Sequence, residues 1–113
     1  MSDCLFCRIV AGEIPATVVH ETDDVLAFRD ISPAAPTHVV VVPKAHHADV
    51  AALTAADPDL AGRLLAAGAS VAAQDGLGEG FRLVFNTGAD GGQTVFHAHL
   101  HVLGGRPMTW PPG

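Results

Sequence analysis

One segment of the chain has apolar residues at helical spacing, whereas the other apolar runs alternate with a period of two residues. This contrast constrains the fold more than any other feature of the sequence. Residues 54–78 read TAADPDLAGRLLAAGASVAAQDGLG. The apolar side chains of this segment recur at helical spacing at Leu60, Leu64, Ala67 and Val71. Thr54 or Asp57 is a suitable N-cap, Pro58 suits a first turn and Gly76 suits a stop. The segment therefore predicts one long amphipathic helix.

Short runs with a two-residue period flank this helix and predict a sheet. They are TVVHE (17–21), DVLAFRD (24–30), THVVVVP (37–43), FRLVFN (81–86) and HAHLHVL (97–103). An acidic turn joins the first two runs and predicts a hairpin. No repeat, low-complexity tract or long linker marks a second domain. We expect a single α+β domain over residues 1–113, with an antiparallel meander sheet and helices packed on one face.

The charge balance excludes one class of partner. Twelve acidic side chains against six basic ones give a formal net charge of −6. Proteins that hold nucleic acid through its phosphates present a basic surface, so we expect no nucleic-acid partner. The charge of an anionic ligand would have to be met locally by histidines, backbone N–H groups or a metal.

Chain length and hydropathy bear on assembly and location. A chain of 113 residues buries roughly 60 to 70% of its unfolded surface, so pairing two copies is a favourable way to gain buried area. The apolar run Val39–Val42 is far shorter than the roughly 20 residues of a membrane span. The N-terminal MSDCLFCRIV lacks the apolar core of a secretory signal. We expect a cytoplasmic homodimer with no membrane partner.

Three histidines stand two apart in HAHLHVL, and they are the main candidates for a functional site. In a strand, His97, His99 and His101 would share one face, while Ala98 and Leu100 would point to the core. Neighbours on such a face lie about 6 to 7 Å apart, which suits one phosphate or one metal. The alternative is a partly solvated polar face. The preceding GADGGQT favours a site, because its glycines let N–H groups converge on an anion.

The choice between phosphate and metal chemistry depends on nearby acids. A zinc hydrolase adds a third ligand and a carboxylate base or partner, and no Asp or Glu occurs from Gly91 to Gly113. A phosphorus-directed imidazole needs a bonded second nitrogen and donors for the phosphate oxygens. The local sequence favours the phosphorus-directed nucleophile.

The two cysteines form a separate motif near the N-terminus. Cys4 and Cys7 stand as CLFC. In a reducing cytosol this spacing indicates metal or redox chemistry more readily than a structural disulfide.

Taken together, these motifs resemble the histidine triad family. HAHLHVL fits the family signature, and the similarity extends through CLFC, GEIPA, LAFRDISPAAPTHVVVVPK and NTGADGGQT. The closing GGRPMTWPPG resembles the Hint branch, the nucleoside phosphoramidases. The resemblance implies a five-stranded antiparallel sheet with one long and one or two short helices. It also implies a dimer with a continuous sheet, in which the tail 104–113 reaches the partner.

The resemblance also implies a mechanism. His99 would attack the α-phosphorus of a purine nucleoside phosphoramidate and form a nucleotidyl-histidine, which water hydrolyses to AMP or GMP. His101 and loop N–H groups would hold the phosphate oxygens. Thr94 would contact the phosphate or the leaving group, and His38 would assist proton relay. No cofactor is needed for this chemistry.

The same resemblance implies a nucleotide site. Asp30 would accept the ribose hydroxyls, although a strand-end cap is the plain alternative. Asn86 would contact phosphate and ribose. The other nucleotide-binding candidates are Leu5, Phe6, Ile9, Phe28, Ile31, Gln93 and His101, of which the apolar ones are equally suited to the core.

A structural zinc is the further implication. Relatives with this CxxC often bind zinc, and here the ligands would be Cys4, Cys7, His46 and His97, a closed Cys2His2 set. The alternative is two reduced, partly buried cysteines. His47 is the rival ligand to His46 and would face the other way in an extended segment. His20 has no matching partner and is expected at the surface.

The C-terminal tail and the overall function each leave alternatives. Trp110 would influence substrate choice from the partner chain, or else cover its own core edge. The alternative functions are a dinucleoside polyphosphate hydrolase of the same family and a nucleotide-binding interaction module. Metal-dependent hydrolysis is a third, which predicts that chelation abolishes activity without unfolding.

Overall fold

A computed structural model describes residues 3–113. The helices are α1 (Leu5–Val10), α2 (Val50–Ala56) and α3 (Pro58–Gln74). The strands are β1 (Val18–Glu21), β2 (Val25–Arg29), β3 (Thr37–Pro43), β4 (Phe81–Phe85) and β5 (Leu100–Gly104). One long and two short helices on an antiparallel five-stranded sheet confirm the predicted α+β fold. Of the predicted domain 1–113, Met1 and Ser2 lie outside the described residues.

The strand order corrects the predicted meander. The order is β1-β2-β3-β5-β4, so the meander extends only through β3, and β5 lies between β3 and β4. All seven residues of β3 are buried, and β5 buries every second residue, whereas β4 has none fully buried. Strands that are apolar on both faces occupy the centre of a sheet, so the less buried β4 takes the edge.

The helical segment forms two helices, of which α3 is the predicted long helix: of its two candidate N-caps, Asp57 is confirmed and Thr54 is not. Thr54 lies inside α2, and the break falls at Asp57, whose backbone is not helical (φ −154°, ψ 80°). Pro58 lacks an N–H and disfavours helical geometry in the residue before it. The Asp57 carboxylate accepts a hydrogen bond from the Leu60 N–H (3.1 Å) and caps α3.

Helices cover both faces of the sheet, which corrects the expectation of one covered face. The larger core packs α3 against one face, where Leu64 and Val71 meet Val39 and Val41. Phe6 of α1 lies on the opposite face with Phe28 and other side chains of β2 and β3. Because β2 and β3 are apolar on both faces, each face requires a cover.

Two further expectations concern the surroundings of the chain. No helix within residues 3–113 combines the length and apolar character needed to cross a bilayer. The dimer with a continuous sheet stays a prediction. β1 and β4 are the two edge strands of the sheet, and an edge strand is where a second sheet would pair.

Candidate functional site

The three histidines share one side of the chain, but only one lies in a strand. β5 begins at Leu100, so His97 and His99 precede it, which corrects the predicted strand. The Ala98 N–H donates to the His47 carbonyl (2.7 Å) instead of to a strand partner. Ala98 and Leu100 nevertheless pack into the larger core, as the alternation predicted.

The geometry around His99 fixes the proton on one ring nitrogen. His99 Nδ1 lies 2.7 Å from the His97 carbonyl oxygen. A carbonyl only accepts, so Nδ1 donates and the lone pair is on Nε2. Burial lowers the pKa of His99, and its bond to the His97 carbonyl opposes this. Phe6 packs edge-on against the His99 ring at 5.0 Å between centroids. The site therefore holds a neutral, oriented imidazole with a free nucleophilic nitrogen.

A second chain of hydrogen bonds runs beside His99. The Ala34 N–H donates to His38 Nδ1 (3.0 Å), so His38 carries its proton on Nε2. That Nε2 lies 2.9 Å from His101 Nδ1 and 3.5 Å from an Asp30 carboxylate oxygen. If His38 donates to His101 Nδ1, the proton of neutral His101 is on Nε2. The Nε2 atom of His38 thus faces both the His101 ring and the Asp30 carboxylate.

Burial lowers the pKa of His101 to about 4, with the neighbouring rings of His99 and His38 adding to the effect and Asp30 opposing it. The unfolded His101 gains a proton below about pH 6.5, whereas the folded residue gains it only near pH 4. The unfolded state therefore binds more protons in this window, and the free energy of unfolding decreases as the pH falls through it.

We therefore expect the thermal midpoint of the wild type to fall more steeply between about pH 6.5 and about pH 4 than that of His101→Gln. Thermal melts of both proteins across this range measure the difference. The difference between the two slopes measures the contribution of His101. Parallel slopes would contradict the assignment.

Asp30 occupies a position compatible with both of its interpretations. It follows β2 directly, and one carboxylate oxygen accepts from the Ser32 N–H (2.8 Å), as in a strand-end turn. The other oxygen faces His38. The side chain is only partly buried. Asp30 thus combines the turn with one oxygen directed toward the histidines.

The apolar candidates divide between core and surface. Phe6 and Phe28 are buried and pack edge to face at 5.6 Å, and Ile9 packs against the same cluster. Leu5 is 43% exposed, and Ile31, next to Asp30, is 99% exposed. The structure brings Phe6 to His99 and leaves Ile31 open to solvent.

The glycine-rich loop is held by Gln93, which the sequence placed among the nucleotide ligands. The buried Gln93 amide donates to the carbonyls of Ala48 (2.8 Å) and Val95 (3.0 Å), and its oxygen accepts from the Gly88 N–H (2.9 Å). Gly88 has φ +74°, a conformation that favours glycine. This geometry makes Gln93 a brace of the loop. Its assignment as a nucleotide ligand stays a prediction.

The remaining loop candidates lie at the ends of this segment. Thr94 is exposed and lies between Gln93 and Val95. Asn86 is half-buried and directly follows β4.

Four side chains from three separate segments converge in a group that fits a zinc ion: Cys4, Cys7, His46 and His97. His97 Nδ1 lies 3.3 Å from Cys4 Sγ, 3.5 Å from Cys7 Sγ and 3.2 Å from His46 Nδ1. His46 Nδ1 lies 3.4 Å from Cys7 Sγ. A tetrahedral zinc with Zn–S of about 2.3 Å and Zn–N of about 2.0 Å spaces such ligand pairs about 3.3 to 3.6 Å apart. The observed distances match this spacing.

Hydrogen bonding prepares His97 for such a role. Its Nε2 lies 2.8 Å from the Pro43 carbonyl, so Nε2 carries the proton and the lone pair of Nδ1 faces the cysteines. Burial lowers the pKa of His97 and favours the neutral ring that binds metal. His47 stands outside this group, as expected of the rival ligand. His20 is half-buried in β1.

The tail leaves β5 and lies against its own chain at two points. Arg106 donates to the Ala34 carbonyl (3.0 Å), and Arg82 of β4 donates to the Thr109 carbonyl (2.8 Å). Trp110 is 83% exposed. This exposure does not support the alternative in which Trp110 covers its own core.

Sequence reasoning missed the groups that orient the imidazoles. The carbonyls of Pro43 and His97 fix the protonation of His97 and His99. Backbone carbonyls have no residue signature, so no sequence motif could have indicated them. The only available signal was that Pro43 and His97 stand in or near the motifs that contain the histidines.

Comparison with known proteins places these features in context. The HIT domain model matches residues 11–108, which include all three histidines. A HIT family hydrolase from Legionella pneumophila Philadelphia 1, known from a crystal structure, is 53% identical with a TM-score of 0.94, covering 98% of this chain and 100% of that one. The 14 kDa zinc-binding protein of Brassica juncea is 49% identical, covering 98% of this chain and 100% of its own. The Arabidopsis thaliana adenylylsulfatase HINT1 is 49% identical, covering 99% of this chain and 78% of its own.

Proposed function

The chain belongs to the HIT domain family, and on that premise we propose that it is a purine nucleoside phosphoramidase of the Hint branch. It hydrolyses the P–N bond of a nucleoside phosphoramidate and releases AMP or GMP and an amine. The observation that carries the proposal is the orientation of His99, whose Nδ1 is held by the His97 carbonyl while Nε2 retains its lone pair. This is the nucleophile that phosphorus chemistry requires.

The reaction proceeds in two displacements at phosphorus. His99 Nε2 forms a bond to the α-phosphorus as the P–N bond breaks, and the electron pair of that bond leaves with the amine. The Nδ1 hydrogen bond to the His97 carbonyl stabilises the positive charge that the ring acquires. Water then attacks the same phosphorus, the bond to Nε2 breaks, and the neutral imidazole is restored. One difficult step becomes two easier ones.

The histidine pair beside His99 orients the groups that meet the phosphate and the departing amine. His38 donates to His101 Nδ1 and so keeps the proton of His101 on Nε2. Water supplies the proton that leaves with the amine, and the hydroxide that remains attacks the phosphorus in the second displacement. His101, Thr94 and the loop N–H groups hold the phosphate oxygens.

The nucleoside contacts follow the same side of the sheet. The outward oxygen of Asp30 accepts the ribose hydroxyls, and Asn86 contacts ribose and phosphate. Phe6 and Phe28 form the floor beneath the base, with Ile9, Leu5 and the exposed Ile31 at its rim. Gln93 acts by holding the loop that faces the phosphate.

Zinc has a structural place in this proposal. When bound, it would be held by Cys4, Cys7, His46 and His97 and would link α1 to the segments before α2 and β5. All four positions are taken by protein ligands, so no coordination site is left for a reacting water. The relative named a zinc-binding protein supports this assignment.

Substrate preference tests the proposed activity. We expect kcat/KM for adenosine 5′-phosphoramidate to exceed that for a diadenosine polyphosphate by about 100-fold or more, because an amine is the leaving group that the site serves. Product AMP is followed by chromatography. Adenylyl sulfate belongs in the same series, since one relative is named an adenylylsulfatase. A higher kcat/KM for the dinucleotide would replace the proposal with a dinucleoside polyphosphate hydrolase.

One observation favours a second candidate function, metal-dependent hydrolysis. Ligand atoms of Asp30, His38 and His101 lie within 4.8 Å of one another and could hold a metal. The hydrogen bond between His38 and His101 favours the metal-free mechanism instead. Activity that persists in folded protein after chelation supports that mechanism.

We also propose that the protein acts as a homodimer in the cytoplasm, where reduced Cys4 and Cys7 remain available to zinc. Edge strand β4, with Phe81 43% exposed, would pair with its copy to continue the sheet. The tail 104–113 would then bring exposed Trp110 to the partner's site. Sedimentation equilibrium at protein concentrations used in the assays tests the dimer.

A further inference from the structure

One partly buried carboxylate at the end of α3 joins two strands on the face opposite the histidines. Arg29 makes a bidentate pair with Asp75, with Nη1–Oδ2 at 2.5 Å and Nη2–Oδ1 at 2.9 Å. The Thr37 hydroxyl donates to Asp75 Oδ2 at 2.9 Å. We call these three residues the Asp75 clamp. It connects the end of α3 with the last residue of β2 and the first residue of β3.

Helix capping alone does not explain an acid at this position. Asp75 is the C-cap of α3, where the helix dipole is negative and a carboxylate is unfavourable. Its hydrogen bonds from Arg29, and then from Thr37, lower the pKa of Asp75, while Asp75 raises the pKa of Arg29. The carboxylate is thus present for its two partners, and the pair remains ionised.

The clamp residues precede two residues of the proposed site. Asp30 follows Arg29, and His38 follows Thr37. Because side chains alternate across a strand, the clamp lies on the α3 face while Asp30 and His38 lie on the site face. The Asp30 N–H also donates to the His38 carbonyl (3.0 Å). The separation of Asp30 from His38 therefore depends on how β2 and β3 are held at this end.

We propose that Asp75 is a positioning residue that acts through Arg29 and Thr37 to set Asp30 against His38, and so governs recognition of the ribose. The inference rests on the proposed function, because it takes Asp30 as the ribose acceptor. The fixed fork geometry of a bidentate pair restricts the positions of the residues that it joins, in addition to any net stability that the partly exposed pair adds.

The test measures AMP and 2′-deoxy-AMP binding by titration calorimetry, a readout that needs no catalysis. Asp75→Asn keeps the size of the side chain but removes the charge that holds the guanidinium. We expect AMP affinity to fall about tenfold and the ratio of AMP to 2′-deoxy-AMP affinity to fall toward one. Asp30→Asn gives the upper limit of both effects. Arg29→Gln and the Arg29→Gln/Asp75→Asn double variant should each lose as much affinity as Asp75→Asn does, because the two residues act as one coupled pair.

A second ion pair provides the matched control. Asp24, before β2, pairs with Arg63 of α3, so Asp24→Asn also breaks an α3 ion pair but away from Asp30. Urea unfolding of each variant measures the stability that it loses. We expect Asp24→Asn to leave the affinity ratio unchanged.

An unchanged ratio in Asp75→Asn, with a ratio well above one in the wild type, would overturn the clamp and leave the proposed function intact. A ratio that falls equally in Asp24→Asn would also overturn it, because the effect would then follow general stability. A wild type that binds AMP without preference for the ribose, or does not bind it, would refute the role of Asp30 and with it the clamp. Phosphoramidate hydrolysis by that wild type reports separately on the proposed function.

Discussion

Replacing His99 with glycine is expected to lower kcat for adenosine 5′-phosphoramidate by about 10⁵-fold, because the variant has no atom to bond to phosphorus. The substitution removes only the His99 ring, so His97 and Phe6 should keep their contact with each other. The four residues that would hold zinc are unchanged. The loss should therefore appear in kcat, with metal content and circular dichroism close to wild type. Single-turnover measurement of AMP release gives the comparison.

Two controls separate loss of the nucleophile from damage to the site. Added imidazole should enter the space left by His99→Gly and restore part of the rate, since it supplies the missing nitrogen. His20→Gln, a change in β1, should retain full activity. Equal rates in wild type and His99→Gly would refute the mechanism and favour a nucleotide-binding interaction module. Rapid hydrolysis without imidazole rescue in a folded variant would point to direct attack by water.

Local patterns in the sequence predicted the sheet face and the grouping of side chains well. The predicted strand 37–43 coincides with β3, and Ala98 and Leu100 lie in the core opposite the histidines. Alternation is a property of adjacent residues, so it can be detected in a single strand. The Cys2His2 set converges as the family resemblance implied, with His46 in the group.

Features that depend on distant parts of the chain were predicted poorly. The histidine strand begins only at Leu100, because the Ala98 N–H bonds to the His47 carbonyl, about fifty positions earlier in sequence. The order of β4 and β5 in the sheet follows their burial, since the more buried β5 is central and the less buried β4 is at the edge. The two-residue period of a sequence shows that a segment is a strand but not how completely the strand is buried. The start of α3, by contrast, was among the predictions, since Asp57 was one of the two candidate caps and Pro58 disfavours helix in its predecessor.

Site chemistry shows the same division between local and distant information. His99 was identifiable from its motif, but its reactive nitrogen depends on the His97 carbonyl. Gln93 stands in the glycine-rich motif, yet its amide reaches the Ala48 carbonyl and braces the loop. Asp75 lies in a segment whose sequence indicated only a helix end. Motifs thus indicate which residues meet, while backbone geometry decides what each can do.

Removal of zinc is expected to have the largest effect on stability. The four ligands connect α1 to two segments distant in sequence, and metal binding to such a site adds directly to folding free energy. We expect His46→Ala or chelation to lower the free energy of unfolding by about 3 to 5 kcal/mol and the thermal midpoint by roughly 15 °C. His47→Ala is the matched control, because His47 lies outside the group and its contact to Ala98 uses only the backbone carbonyl.

The order of losses during chelation distinguishes a structural zinc from a catalytic metal. The bond from His97 to the Pro43 carbonyl does not require metal, so it should keep His97 near its place, and with it the carbonyl that orients His99. Metal-free protein that is still folded at 25 °C should therefore retain activity within about tenfold of wild type, and activity should then disappear with unfolding. Complete loss in protein that remains folded would mean that a metal takes part in the reaction, with Asp30, His38 and His101 as its ligands. Zinc retained by His46→Ala but lost by His47→Ala would instead assign the fourth ligand to His47.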